Sequence, residues 1–419
     1  MRSLIYVLAM LWSMPGVSVT VYDTQPPITL KMTIENVLEH SPVLKGARYH
    51  ANAADVRVRT ARLPTPLSVK VELENFAGSG DASGTDIMET TLSLARALEL
   101  GNQPTLRGEL AQQKSELLRN EQDSQRLDLL TKATGLFLSV VTHQEQLDIA
   151  HDSMTLANHT MDVVERRFKA GKTPAAEHSQ AAIEVARAEI ELEHAEHQLA
   201  VSRLRLAAAW GDTELRFGKA EANLFALNEV EHFENLQRLL DQNPDLARFA
   251  TAQRLAEARM RLARADRRPN IDLAGGIRYL NDSDDAALVL SASMPLGSRR
   301  RAAPAIEESE ILALTEPLAF EQRRLELHTT LFEIHQELMH SRTAVQTLRQ
   351  RIIPEAERAL RDLEKGYALG RYSFLELLSA QRTLLDARLE VVGTAADYHR
   401  YRLEIERLTG TDLLTGNIP

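Results

Sequence analysis

Cysteine is absent from all 419 residues. That excludes disulfides, thiolate metal sites, a cysteine nucleophile and a lipid linked through an N-terminal cysteine. Aromatic residues make up only 5%, and Ala, Leu, Glu and Arg dominate, a composition that favours long helices over a conventional globular core. No apolar run reaches the roughly 20 residues that a membrane-spanning helix needs. The net charge of −10 disfavours nonspecific nucleic-acid binding. No glycine-rich phosphate loop occurs, and no spacing singles out a pair of carboxylates for acid–base work. Histidines at 143, 151, 159, 178, 194 and 197 are scattered along charged helical stretches. Only His194 and His197 could share a helix face, and no supporting ligand cluster accompanies them. The expectation is no enzyme, no cofactor and no metal site.

The N-terminus carries Met1-Arg2, then the apolar run Leu4 to Trp12, then small residues at Gly16 and Ser18. This is the pattern of an export signal cleaved after Ser18, leaving 19–419 as the mature chain.

That chain is written twice. Ser41-Pro42-Val43-Leu44, followed by Arg57, Arg59, Ala61 and Arg62, reappears 202 residues later. The copy is Asn243-Pro244-Asp245-Leu246, followed by Arg259, Arg261, Ala263 and Arg264. At an offset of 199, Phe168-Lys169-Ala170-Gly171 matches Tyr367-Ala368-Leu369-Gly370, and that register runs to Trp210-Gly211 against Thr409-Gly410. One unit of two structural repeats, about 30–211 and 232–410, is therefore expected rather than independent domains.

Each half contains one hairpin signal, at about 67–100 and 271–296. After Pro64 and Pro66, Leu67, Val69, Val71 and Leu73 alternate with Ser68, Lys70, Glu72 and Glu74. A Gly/Ser/Asp loop leads to a second run near Thr91 to Leu100 with Leu92, Leu94, Leu98 and Leu100 in phase. The second half places Ile271, Leu273, Ile277 and Tyr279 opposite Asp272 and Arg278. An acidic turn at 281–285 then leads to Leu288, Leu290, Met294 and Leu296. Strict period-two alternation is a strand signal, and about ten residues suffice for a tilted strand to cross a membrane core. The charged faces suit a water-filled lumen, which makes Lys70, Glu72, Glu74, Asp272 and Arg278 the lumen-facing candidates. A small sheet packed on helices is the alternative. Four strands cannot close a barrel, so spanning demands oligomerisation. Arg96 falls out of pattern on the apolar face; a polar headgroup or a subunit contact would accommodate it.

The rest is helix-forming. Two long segments, about Gln103 to Phe168 and Ala302 to Tyr367, would each run roughly 100 Å. Pro317 should kink the second or mark a junction. Shorter segments are expected at 31–63, 174–210, 233–267 and 373–408. Two short helices stacked end to end match one long one. Ile183, Ala186, Ile190, Leu199 and Leu204, with the copied Leu385, Leu389, Val392 and Leu403, read as helix-packing positions.

From Pro354 onward the residues become family-specific. Pro354-Glu355-Ala356-Glu357-Arg358-Ala359-Leu360, then Gly366-Tyr367 with Gly370 and Ser373, then Glu376-Leu377-Leu378 with Ala380-Gln381-Arg382-Thr383-Leu384-Leu385 resemble the TolC family of outer-membrane efflux proteins. Val71 to Gly78 and Glu89 to Leu94 are similar to its CzcC-like heavy-metal efflux branch, although Arg96 stands where that branch usually has Gln. The resemblance implies a mainly α fold with a small β part: a periplasmic α-barrel, and two hairpins giving four strands to a trimeric outer-membrane β-barrel. It also implies a homotrimer in outer-membrane lipid of a Gram-negative bacterium. Its partners would be a periplasmic adaptor (membrane fusion protein) and an inner-membrane RND-type pump. The implied function is a passive duct exporting metal cations or small toxic compounds. A type I secretion duct and a periplasmic coiled-coil structural protein remain alternatives. By the same resemblance, Phe168, Gly171, Tyr367, Gly370 and Ser373 are adaptor-docking tip candidates. Tyr367, Arg371, Glu376 and Ser379 are periplasmic aperture candidates, with Tyr372 in place of the family's tip arginine.

Overall fold

The computed structural model describes residues 25–80, 83–241 and 243–410, so the expected export signal lies outside the described residues. Among the described residues, ten helices and four strands run in the order α1 (Leu30–His40), α2 (Pro42–Ala61), β1 (Ser68–Glu74), β2 (Glu89–Leu98), α3 (Gln103–Lys169) and α4 (Ala175–Ala208). The order recurs as α5 (Phe233–Leu240), α6 (Pro244–Ala265), β3 (Ile271–Leu280), β4 (Asp285–Ser293), α7 (Ser298–Ala313), α8 (Thr315–Thr347), a π-turn (Leu348–Ile352), α9 (Ile353–Ala368) and α10 (Phe374–Thr409).

α3 is 67 residues long, about 100 Å at the α-helical rise. Gly101 and Asn102, both left-handed, turn the chain out of β2, and Pro104 occupies the first helical turn where its missing N–H costs nothing. Of the short segments, 174–210 and 373–408 are continuous as α4 and α10, whereas 31–63 and 233–267 are not. Ser41 precedes Pro42 with ψ 124°, and Asn243 precedes Pro244 with ψ 128°. Proline displaces the preceding residue from helical geometry, so each segment divides there. The second long segment also divides. Leu314 separates α7 from α8, with Pro317 in the first turn of α8, and the π-turn falls just before Pro354.

α2 and α4 lie along α3, and α6 and α10 pack against both α3 and α8. Three apolar clusters fill this bundle. Phe137, Val140, Leu206, Phe217, Leu224 and Val392 centre the first. Leu331, Leu338, Leu240 and Tyr398 centre the second. Val164, Leu360, Tyr367, Phe374 and Leu377 close the helical tip. A charged knot ties α3, α6, α8 and α10: Arg407 donates to Asp128 (2.6 Å) and Asp245 (3.1 and 3.3 Å), and Arg323 lies 3.7 Å from Asp245.

Of the packing positions expected on α4, Leu199 packs against the first cluster and the others are not used within the chain. Ile183, Ile190 and Leu204 are exposed, and Ala181, Ala188, Ser202, Leu206 and Ala207 form the buried face instead. The helix turns its larger apolar stripe away from its own protomer.

The strands form one antiparallel sheet in the order β1-β2-β3-β4. β2 and β3 join the two hairpins, with Leu92 opposite Ile277 and Ser93 opposite Gly276. A Cβ on Gly276 would stand 2.2 Å from the Leu92 carbonyl oxygen, so glycine is required for this close approach. β2 and β4 each begin two residues earlier than the alternation suggested; Leu100, Met294 and Leu296 fall beyond their ends.

Candidate functional site

The sheet and the helical tip, at opposite ends of the long helices, hold the predicted functional residues. In the sheet, register sorts side chains onto two faces. Val69, Val71, Leu73, Leu92, Leu94, Ile277, Leu288 and Leu290 share one face and are all exposed, Leu290 by 89%. Lys70, Glu72 and Glu74 share the other face with Thr91, Ser93, Asp272 and Arg278. Arg278 ties three strands there: its guanidinium donates to Thr91 Oγ1 (3.0 Å), Glu89 Oε2 (2.5 Å) and Glu74 Oε2 (2.9 Å). Lys70 and Glu72 pair with each other on the same strand. β1 and β4 are open edges, each bonded on one side only.

At the tip, both repeats reverse through the same motif. Gly171 (φ 66°) and Gly370 (φ 74°) are left-handed. Lys172 N donates to the Arg167 carbonyl (2.9 Å), and Arg371 N donates to the Gly366 carbonyl (2.8 Å). Phe168, Gly171, Gly370, Ser373, Arg371, Glu376 and Ser379 are exposed. Tyr367 is not. It is 2% exposed, so it presents no surface either to a docking partner or to the aperture in this structure. Tyr372, standing for the expected arginine, lays its ring over Gly366, where a Cβ would meet it at 2.1 Å.

Tyr367 holds the two tips together. Its hydroxyl donates to Glu177 Oε2 (3.1 Å) on α4. Arg167 on α3 stacks over its ring, 4.7 Å from the centroid, and donates from Nη1 to the Tyr367 and Ala368 carbonyl oxygens (2.7 and 3.1 Å). These carbonyls end α9 and have no partner within the helix. Burial raises the pKa of the Tyr367 hydroxyl, keeping it a donor. Further along, Gln381 donates to Thr160 (2.7 Å) and Arg382 to Glu184 (2.7 Å), lacing α10 to α3 and α4.

Sequence reasoning missed Arg167 and Glu177, although the repeat contains the signal for Glu177. At the offset of 199 residues, Glu177 is the copy of Glu376 and Pro174 the copy of Ser373. Ser373 and Glu376 form a capping box: Glu376 Oε2 accepts from the Ser373 amide (2.7 Å) and hydroxyl (2.8 Å), and Glu376 N donates back to Ser373 Oγ (3.3 Å). Those bonds, the amide first, hold the Glu376 carboxyl below its ordinary pKa. Pro174 has neither hydroxyl nor N–H, so no box can form at α4. Glu177 is thereby left free to reach Tyr367. Among the described residues, no group of three His, Asp or Glu side chains could hold a metal ion.

Comparison with known proteins agrees with this geometry. The sequence profile of the family described as "Outer membrane efflux protein" matches residues 33–212 and 235–411. The cobalt-zinc-cadmium resistance protein CzcC of Cupriavidus metallidurans is 27% identical over 389 residues, covering 92% of this chain and 90% of that protein. Among solved structures, CusC superposes with a TM-score of 0.76 at 18% identity, covering 93% of this chain and 95% of the other. The outer membrane protein VceC of Vibrio cholerae gives 0.72 at 18% identity, covering 93% and 97%. Channels of this family are homotrimers of the outer membrane that work with adaptor and pump partners. By profile and by fold, the chain belongs to the outer membrane efflux protein family.

Proposed function

We propose that three copies of this chain form the passive outer-membrane duct of a pump–adaptor–duct assembly. The duct would export metal cations or small toxic compounds from a Gram-negative cell. The observation that carries the reading is the four-stranded sheet: one face is exposed aliphatic, the other charged, and both edges are unpaired. In lipid an unpaired edge costs several kcal/mol per backbone group, so edges of neighbouring copies close on each other. The helices support the same assembly. Apolar stripes are exposed on α2 and α4 (Tyr49, Val56, Ile183, Ile190) and on the opposite flank at α7 and α8 (Ile311, Leu318, Leu325). Such flanks are complementary in a closed ring. The helices would form the periplasmic conduit.

At its far end Phe168, Gly171, Gly370 and Ser373 would present the tips to a periplasmic adaptor, itself bound to an inner-membrane RND-type pump. Arg371, Glu376 and Ser379 would line the aperture, with the buried Tyr367 tying the tip behind them. The Glu376 carboxylate stays exposed, and its low pKa keeps a threefold ring anionic, which favours cations. The likeness to CzcC supports metal cations as cargo. The test is complementation of a duct-deletion strain across metals, dyes and antibiotics, with planar-bilayer conductance of the purified protein. Restored metal tolerance with discrete conductance steps is the expected result. A monomer that never conducts would remove the proposal.

A further inference from the structure

The charge of the sheet is polarised along its strands. At the end joined to the helices stand Arg96 near the end of β2, Arg267 and Arg268 in the turn before β3, and Arg299, Arg300 and Arg301 in the first turn of α7. Register places them at one level: Leu98 at the end of β2 pairs with Ile271 at the start of β3, and Asp272 pairs with Ser293 at the end of β4. Arg268 abuts Gly101, its Cδ 3.1 Å from where a Cβ would stand. The three nearby acids, Glu99, Asp266 and Asp272, do not neutralise this set. Glu99 is held by Arg107, whose Nη2 donates to Oε2 at 3.1 Å, which leaves Asp266 and Asp272 as two charges against six. None of the six arginines has a carboxylate within 4.0 Å among the described residues. The far end is opposite in sign: Glu74, Asp86, Glu89, Asp282, Asp284 and Asp285 stand there, and Arg278, bonded to Glu74 and Glu89, offsets only one of those charges.

Arg96 decides what this collar meets. It is exposed on the aliphatic face, between Leu94 and Leu98 on its own strand and opposite Leu273 on β3. Two residues from the strand end, it stands within about 7 Å of the interface, where a charge on a lipid-facing strand costs little. A protein or nucleic-acid partner would not be met on a strand face of leucines broken by a single arginine and turned to the bilayer. Acyl chains with a phosphodiester at their head match it.

We propose that the arginine collar binds anionic phospholipid headgroups of the membrane leaflet nearest the helices, with Arg96 on the strand face and Arg299 to Arg301 at the start of α7 as principal ligands. The inference rests on the outer-membrane reading and on the helices lying on the periplasmic side. The ligand is a lipid-borne phosphodiester, not free phosphate. Its net negative charge answers the collar, and its acyl chains cover Leu94, Leu98 and Leu273.

The test uses the purified full-length protein in mixed micelles, with native mass spectrometry counting retained lipid. Phosphatidylglycerol, phosphatidylethanolamine and inorganic phosphate are offered at equal concentration. Phosphatidylglycerol should be retained preferentially, without competition from phosphate, and the preference should weaken as salt rises. The triple variant R299Q/R300Q/R301Q should bind it on the order of a hundredfold less tightly, at about fivefold per arginine, and R96Q alone about fivefold less. Trimer migration checks assembly. Should the triple variant not assemble, R96Q and the wild-type lipid and salt series still decide. Equal retention of both lipids, or variants that bind like wild type, overturns the proposal, and displacement by phosphate assigns the site to free anion instead. Wild type that conducts in neutral bilayers yet shows no lipid preference loses the collar but keeps the duct. Wild type that neither inserts nor conducts loses both.

Discussion

Pro174→Ser transplants the cap of one repeat into the other. With serine at this position, α4 acquires the hydroxyl and N–H that Ser373 supplies to α10, and Glu177 gains the partner that Glu376 already has. The carboxylate then chooses between a capping box and the Tyr367 hydroxyl. A hydrogen bond to a charged acceptor contributes about 1.5–3 kcal/mol, and a good N-cap about 1 kcal/mol. Diverting Glu177 part of the time therefore weakens the tie by about 1 kcal/mol in each protomer. If three tips open together, the loss is about 3 kcal/mol, on the order of a hundredfold in the ratio of open to closed channel. Tyr367→Phe removes the bond outright and sets the upper bound, with the ring and its Arg167 stack left in place. The assay is open probability in planar bilayers, together with thermal melting. The expected pair of outcomes has opposite signs: Pro174→Ser opens the tip while α4 becomes more stable. If Tyr367→Phe opens the channel and Pro174→Ser does not, the serine cap does not compete for Glu177. If neither alters conductance, the tyrosine tie takes no part in closure.

Three further outcomes are expected. Ser373→Ala should lower stability by about 1 kcal/mol through loss of the box; Glu376→Ala also loses the box and should in addition reduce cation preference, so equal selectivity in both variants removes the charged ring. Arg407→Ala leaves Asp245 without its main partner in a site where the two side chains are 18% and 12% exposed. The cost should be about 3 kcal/mol, seen as a lower melting temperature, and a loss below 1 kcal/mol contradicts the knot's structural role. His399, whose Nε2 lies 2.8 Å from the Leu224 carbonyl oxygen, has its pKa lowered by burial to about 4. Between pH 4 and the ordinary value of 6.5 the unfolded chain binds the extra proton, so stability falls as pH drops through that window, by up to about 3 kcal/mol. His399→Leu should flatten that part of the pH–stability curve, and an unchanged slope assigns it to other groups.

The sequence alone determined the elements and their two-fold repetition. Strand alternation is a local, period-two property, and Val69, Val71 and Leu73 could be assigned one face before any partner strand was known. Helix lengths followed from the scarcity of glycine and proline, and the tip turns from Gly171 and Gly370, where left-handed backbone is cheap only for glycine. Local signals also existed for the breaks at Ser41 and Asn243, each before a proline, but helical periodicity on both sides masked them. What only the tertiary structure decided was long-range pairing. Nothing in either hairpin specifies that β2 bonds to β3, because register across about 180 residues depends on where the helices carry the strands. Whether the α4 stripe was core or outward flank was equally undecided, since an amphipathic helix has two faces and periodicity does not say which one meets its own chain. The fate of two copied glutamates followed the same division. Their equivalence is written in the repeat, but one caps its own helix and the other reaches Tyr367, because a hydrogen bond is made to whatever donor the fold brings within 3 Å.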